Sequence, residues 1–170
     1  FDPPWQRHMM SEEAQLQTGM FYWCKLIEWA MTQFGIDVSA DDIIDSLSFF
    51  DNWEERYKYI IDLGKELPPM PASYRTDEFL VRGCQSQVWL VDEWRDNRLF
   101  FLADSDAFIV KGLLGVVLAA FNGKTPGDIL GFDIDAYFAR LDLLQHLSST
   151  RGNGLKAMVK RIKDKAAATH

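Results

Sequence analysis

Cys84 stands in the run Gly83-Cys84-Gln85-Ser86-Gln87-Val88-Trp89, with a glycine on one side and amide and hydroxyl side chains on the other. Gly83 admits backbone angles that other residues resist, and Gln85, Ser86 and Gln87 offer hydrogen-bonding groups where a core cysteine would have apolar neighbours. This is the pattern of a thiol set at a turn that leads into a strand. Its chemistry would be thiol exchange, in which a thiolate attacks sulfur at a rate set by access and by stabilisation of the anion. The plainer alternative is a packed, inert cysteine, the common condition of a free thiol. Cys24, the other cysteine, falls within an apolar helical stripe and reads as packing. Two cysteines so far apart make no disulfide framework, so reduced thiols and a cytoplasmic setting are expected.

Other chemistries find less support. No Cys-x-x-Cys pair exists to resolve a mixed disulfide, which argues against a general thiol-disulfide oxidoreductase. The three histidines are His8, His146 and His170, and with two distant cysteines they cannot furnish a closed zinc site of ordinary spacing. A papain-like protease would need a histidine near the thiol, and His146 is its one serious candidate. There is no phosphate-binding loop and no glycine-rich dinucleotide fingerprint. A formal net charge of -7 disfavours a phosphate-reading surface, so no nucleic-acid partner is expected. The start Phe1-Asp2-Pro3-Pro4 lacks the basic and apolar regions of a secretory signal.

The elements that must position Cys84 follow from periodicity. With 170 residues, 48% of them hydrophobic, the chain can bury one proper core. Leu16, Met20, Trp23, Cys24, Ile27, Met31 and Phe34 form a helical stripe that Gly35 would stop, with Phe21, Tyr22 and Trp29 off the stripe. Ser39 and Asp42 resemble a helix cap before Ile43, Ile44 and Leu47. Trp53, Tyr57, Ile60, Ile61, Gly64 and Leu67 mark one face of a helix, with Glu54, Glu55, Lys58, Asp62 and Lys65 on the solvated face. Residues 68–76 read as a loop. Strands are expected at 79–81, 88–94 and 98–102, the last two joined through Arg95-Asp96-Asn97. Asp104-Ser105-Asp106 would cap an almost wholly apolar helix at 107–121, too short and too interrupted by Lys111 to span a membrane. Gly112 and Gly115 would let another backbone approach it. Short helices from Pro126 and Asp133, a turn over 148–154 and a final helix with Leu155, Met158, Val159 and Ile162 inward complete the chain. The fold class is α+β, a small antiparallel three-stranded sheet packed against several helices.

Gly83 to Trp89 resembles the active-site loop of the SufE family of sulfur-acceptor proteins, which includes CsdE. The likeness continues through Trp53-Glu54-Glu55-Arg56-Tyr57 with Leu63-Gly64 and Leu67-Pro68, and through Asp104-Ser105-Asp106 with Ile109-Val110-Lys111-Gly112-Leu113. Thr125-Pro126, Asp128-Ile129, Gln145-His146-Leu147, Arg151, Gly154 and Leu155 follow in order, so that residues 41–167 are covered. Ala103, Thr150 and Gly152-Asn153 depart from the family pattern. The division expected is an N-terminal extension, 1–38, and a SufE-like domain, 39–168. Met31 lies close to where family members begin, so a native start there is the expectation.

The resemblance implies a fold like that of IscU-type scaffolds and a carrier that takes sulfur from a cysteine desulfurase as a persulfide on Cys84. It would hand that sulfur to iron-sulfur cluster assembly, on a scaffold of the SufBCD kind. The desulfurase, of the SufS or the CsdA kind, would bring the pyridoxal phosphate, and this chain would bind no cofactor or metal. Arg151, in the matching family position, and Gln85, Gln87 and Asp106 are the residues that would support the thiolate or the loop. Asp106 as a plain helix cap and Arg151 as a surface contact are the structural alternatives. A homodimer stays open, and no membrane partner is implied. Two other functions are weighed: a cluster scaffold, which one thiol cannot serve alone, and a non-catalytic interaction module presenting its aromatic N-terminal helix.

Overall fold

The structure is a computed structural model that describes residues 34, 35 and 38–169. The greater part of the expected N-terminal helix, with Cys24 and Met31, lies outside the described residues. Helix α1 (Ala40–Ser48) opens on a capping box in which Ser39 and Asp42 each satisfy the other's backbone N–H. Helix α2 (Trp53–Lys65) is capped by Asn52, whose side-chain oxygen accepts from the Glu55 N–H. It buries Ile60, Leu63 and Gly64, while Glu54, Glu55, Lys58, Asp62 and Lys65 lie on the opposite, solvent-facing side, as the amphipathic pattern requires.

Strands β1 (Val88–Arg95) and β2 (Arg98–Ser105) pair antiparallel, Val88 opposite Ser105 and Arg95 opposite Arg98. Asp96 and Asn97 join them at φ of 54° and 62°, the left-handed pair of a two-residue type I′ hairpin. Among the described residues the sheet has two strands, not three. Residues 79–81 contribute a single bridge, Leu80 to Trp89, in which the Val81 N–H donates to the Val88 carbonyl and the Leu90 N–H to the Phe79 carbonyl. The reason is local. Phe79 and Leu80 donate back to Thr76 and Asp77 in turns, so only a few residues are extended before the chain turns again at Gly83.

β2 also runs three residues further than expected, and this changes the start of the next helix. Helix α3 (Phe108–Phe121) has Ala107 at its N-cap with no side-chain cap, although the Ser105 hydroxyl accepts from the Ala107 N–H at 3.2 Å. The capping expected of Asp104 and Asp106 is therefore corrected: both carboxylates are turned to other partners, described below.

Every residue of α3 except Phe108, Ile109 and Lys111 is buried. Its backbone meets that of α2. A Cβ at Gly112 would lie 2.2 Å from the Ile60 carbonyl oxygen, and one at Gly64 would lie 2.5 Å from the Gly112 nitrogen, so neither position accepts a side chain. Helix α4 (Pro126–Gly131) begins on the Thr125 cap with proline first, and α5 (Ile134–Leu141) on the Asp133 cap. After a 3₁₀ turn (Leu144–His146) comes α6 (Ser149–Ala168). The segment expected to be a turn at 148–154 is mostly helix, because Ser148 caps it by accepting from the Arg151 N–H. Leu155, Met158, Val159 and Ile162 are buried as expected.

Val88, Leu90, Leu99, Phe101 and Ala103 share one core cluster with α3 and the other helices. Met70, Phe100 and Leu102, with Tyr74, Trp89 and Val91 against them, form a second cluster. Among the described residues no helix is long and apolar enough to cross a membrane.

Gly112→Ala should lower the unfolding free energy by ~2 kcal/mol, since backbone stands where the methyl would go and overpacking outweighs alanine's helix propensity. Gly131→Ala, which would meet nothing within 4 Å, should leave stability unchanged or slightly raised. Urea unfolding of the two variants checks the contrast.

Candidate functional site

Cys84 sits in a loop of residues 82–87, closed at its base by the Val81–Val88 hydrogen bond and laid against α6. Gly83 holds φ at 94°, and a Cβ there would come 3.3 Å from the Ala157 Cβ. One turn back on α6, a Cβ at Gly154 would lie 3.6 Å from the Cys84 Sγ. Small residues at 154 and 157 thus form the floor on which Gly83 and Cys84 rest. The Cys84 thiol donates to the Gly154 carbonyl at 3.5 Å.

Beside the sulfur is a hollow of about 60 Å³. One water needs ~10–15 Å³, so there is space for another atom of sulfur's size. Gln85 and Ser86 from the loop, Val110 and Leu113 from α3, and Thr150, Arg151, Gly154 and Met158 from α6 line it with Cys84. Burial pushes the Cys84 thiol above its ordinary pKa, and a carbonyl partner suits the protonated form. In this arrangement the sulfur is a sheltered thiol, not a ready thiolate.

The supporting residues divide. Arg151 and Gln85 share the hollow with Cys84, both exposed, and burial alone accounts for the thiol's shift. Gln87 acts through its backbone: its N–H donates to Asp106 Oδ1 at 3.1 Å, and its carbonyl accepts from the Ser105 hydroxyl at 2.7 Å and from the Asp106 N–H at 3.3 Å. Asp106 holds the end of the loop.

Sequence reasoning missed two features. Asp104 is buried, with Arg75 at 2.7 Å and Lys111 at 3.4 Å, and it accepts from the Ser105 N–H. It ties the 68–76 loop and α3 to the end of β2, where the neighbouring Ser105 and Asp106 hold Gln87. The spacing of Arg75 and Asp104 in the chain gives no hint of the pair. The second is the small-residue floor, whose signal was Gly154 and Ala157 three apart among the inward positions of α6.

His146 is engaged elsewhere. Its ring stacks on Trp53 with centroids 4.0 Å apart, Nδ1 is 3.0 Å from the Asp142 carbonyl, and its own carbonyl accepts from the Tyr57 hydroxyl. It does not line the hollow, so no Cys-His pair forms with Cys84. Among the described residues no three His, Cys, Asp or Glu side chains gather as a metal site.

A half-buried thiol on a loop of an α+β hairpin-and-helix fold defines the class. Residues 41–166 match the SufE model, described as the Fe-S metabolism associated domain. An uncharacterized SufE-like protein of Rhizobium meliloti is 49% identical over 132 residues, covering 75% of this chain and 94% of the relative. Another, of Rhizobium etli, is 46% identical over 132 residues, covering 75% and 89%. The solution structure of a hypothetical protein from Thermus thermophilus superposes with a TM-score of 0.63 at 16% identity, covering 76% of this chain and 93% of the other, which shows a shared fold. The chain belongs to the SufE family.

Asp106→Ala should free the loop and speed alkylation of Cys84 by up to ~10-fold, the equivalent of about 1.4 kcal/mol. Gln87→Ala, which keeps the backbone donor, should leave the rate unchanged. Peptide mass analysis after timed iodoacetamide treatment distinguishes the Cys84 product from that of Cys24. The raised pKa also has a sign: the folded chain holds the Cys84 proton more tightly than the unfolded one. Its contribution to stability is full below the ordinary thiol pKa and is lost as pH rises through the higher folded value. Denaturant midpoints of wild type and Cys84→Ser should therefore converge or cross as pH increases above that ordinary value.

Proposed function

We propose that this chain is a sulfur acceptor and activator of a cysteine desulfurase, carrying a persulfide on Cys84 to iron-sulfur cluster assembly. The observation that carries the reading is the Cys84 loop: a thiol half-buried on small residues beside a hollow with room for a second sulfur. Membership of a family associated with Fe-S metabolism supports it.

In the step proposed, the Cys84 thiolate attacks the outer sulfur of the desulfurase persulfide. A new S–S bond forms at Cys84, the donor's S–S bond breaks, and the enzyme cysteine leaves as thiolate. The balance is closed, and no oxidant is needed. The desulfurase supplies the pyridoxal phosphate chemistry that makes the first persulfide. Because the sheltered thiol is held protonated, the loop must leave α6 for Cys84 to ionise and attack, and docking of the enzyme is the event that releases it. Once loaded, the more acidic persulfide is an anion. The hollow offers it Arg151 and the first turn of α6, both favourable to negative charge. The carrier unit is the 39–168 domain, working in the cytoplasm.

Incubation with a cysteine desulfurase and cysteine should add the mass of one sulfur atom to the Cys84 peptide. Cys84→Ser should abolish both that adduct and the stimulation of sulfide release while leaving circular dichroism unchanged. Full stimulation by the serine variant would sink the carrier role. Arg151→Ala should shorten the lifetime of the loaded form several-fold, by roughly the 0.3–1 kcal/mol of a single exposed charge contact, read as the decay of the adduct over time.

A further inference from the structure

The face that carries Cys84 also carries arginines with no carboxylate of their own. Arg82 is exposed and stands immediately before Gly83, and Arg151 is exposed at the hollow beside the thiol. Arg161 lies on α6 one turn beyond Ala157, the residue on which Gly83 rests. Side chains of a helix lean toward its N-terminus, so Arg161 is directed back toward the place where the loop meets α6. Arg151 and Arg161 are about 15 Å apart along that helix. Gly154 and Ala157, the floor of the loop, lie between them.

These three differ from many bases of the chain. Among the described residues Lys65, Arg75, Lys111, Lys160 and Lys165 are each paired with an aspartate. Arg82, Arg151 and Arg161 form no ion pair with a described carboxylate, although Asp77, Glu78 and Asp106 lie in neighbouring stretches of the chain. Asp106 is engaged by the Gln87 N–H instead. In a chain of formal net charge -7, unneutralised positive charge beside one loop runs against the general balance. Arg161 is also partly buried, and its Nε is covered from solvent with no hydrogen-bond partner. A covered guanidinium N–H without an acceptor is destabilising, and an acceptor brought from outside would relieve it.

We propose, on the carrier reading of Cys84, that Arg82, Arg151 and Arg161 form a cationic rim that receives carboxylates on the surface of the cysteine desulfurase. Arginine suits the task, because its planar fork meets a carboxylate in two parallel hydrogen bonds and sheds water more readily than a lysine ammonium. The negative charge of the chain as a whole repels an acidic partner from other faces. A positive rim therefore selects this face and orients the encounter so that Cys84 leads. The desulfurase is the occupant because the resting thiol needs a partner to lift its loop before any sulfur is carried, and the rim borders that loop.

Binding of the full chain to a purified cysteine desulfurase tests the rim, with Cys84→Ser as the background so that no sulfur is transferred during the measurement. In calorimetric titration Arg82→Glu and Arg161→Glu should each raise Kd at least ~10-fold, and the affinity of the background chain should fall as salt is raised from ~50 to ~300 mM. Lys58→Glu makes the same change of charge on the solvent-facing side of α2, at a residue that does not line the hollow, and should leave Kd unchanged. Equal Kd values for the two arginine variants and their background overturn the rim, even where the same enzyme still loads Cys84 of the wild type and so upholds the carrier role. An equal loss in Lys58→Glu overturns it too, since net charge alone would then account for the effect. A desulfurase that neither binds nor loads the wild-type chain overturns the carrier reading, and the rim with it. Should circular dichroism show that Arg161→Glu fails to fold, Arg161→Gln takes its place and decides together with Arg82→Glu.

Discussion

The backbones of α2 and α3 touch at Gly64 and Gly112, and the central place of α3 in the fold rests on that contact. Glycine at the crossing lets the two helices approach closer than side chains permit, which brings α3 into the centre and leaves it buried along nearly all its length. A helix so enclosed has its ends as its points of access. Its first turns, at Val110 and Leu113, help wall the Cys84 hollow.

At the Cys84 end, two requirements of the proposed sulfur transfer pull against each other. A persulfide carrier must shelter a reactive sulfur and yet present it. Burial favours the protonated thiol at rest, and the described attachments of the loop are the Val81–Val88 hydrogen bond at one side, the Ser105 and Asp106 contacts to Gln87 at the other, and the Cys84 thiol on the Gly154 carbonyl. Between them, Gly83 and Cys84 lie on Ala157 and Gly154 without a side chain interlocking, since one partner in each contact is a glycine. Such a surface excludes solvent but is not keyed to the loop, so the loop can lift while the domain beneath it stays intact.

The Asp104 cluster and the Trp53-His146 stack brace this site from outside it. Asp104 couples Arg75 of the long loop and Lys111 of α3 to the end of β2. His146, stacked on Trp53 and held through its carbonyl by Tyr57, fastens the turn before α6 to α2. Two of the stretches that resemble the family pattern, 53–57 and 145–147, meet in that stack. They serve as a brace for the helix whose opening turns wall the hollow, not as reacting groups.

Much of this was legible along the chain because it rests on local chemistry. Periodicity marked the helices, Ser39 and Pro126 marked two of their starts, and the Gly83-to-Trp89 run marked the thiol, since caps, turns and amphipathic faces are set by residues within a few positions of one another. Contacts between distant residues carry no such trace. Whether 79–81 became a strand depended on turns that shortened it, and whether Asp104 and Asp106 capped α3 depended on Arg75, Lys111 and the Gln87 backbone competing for their oxygens. The 148–154 stretch, rich in serine and glycine, reads as a turn by propensity. It is helix because Ser148 caps it by accepting from the Arg151 N–H, and the Cys84 loop packs on Gly154 within it, a contact that only the assembled fold could decide.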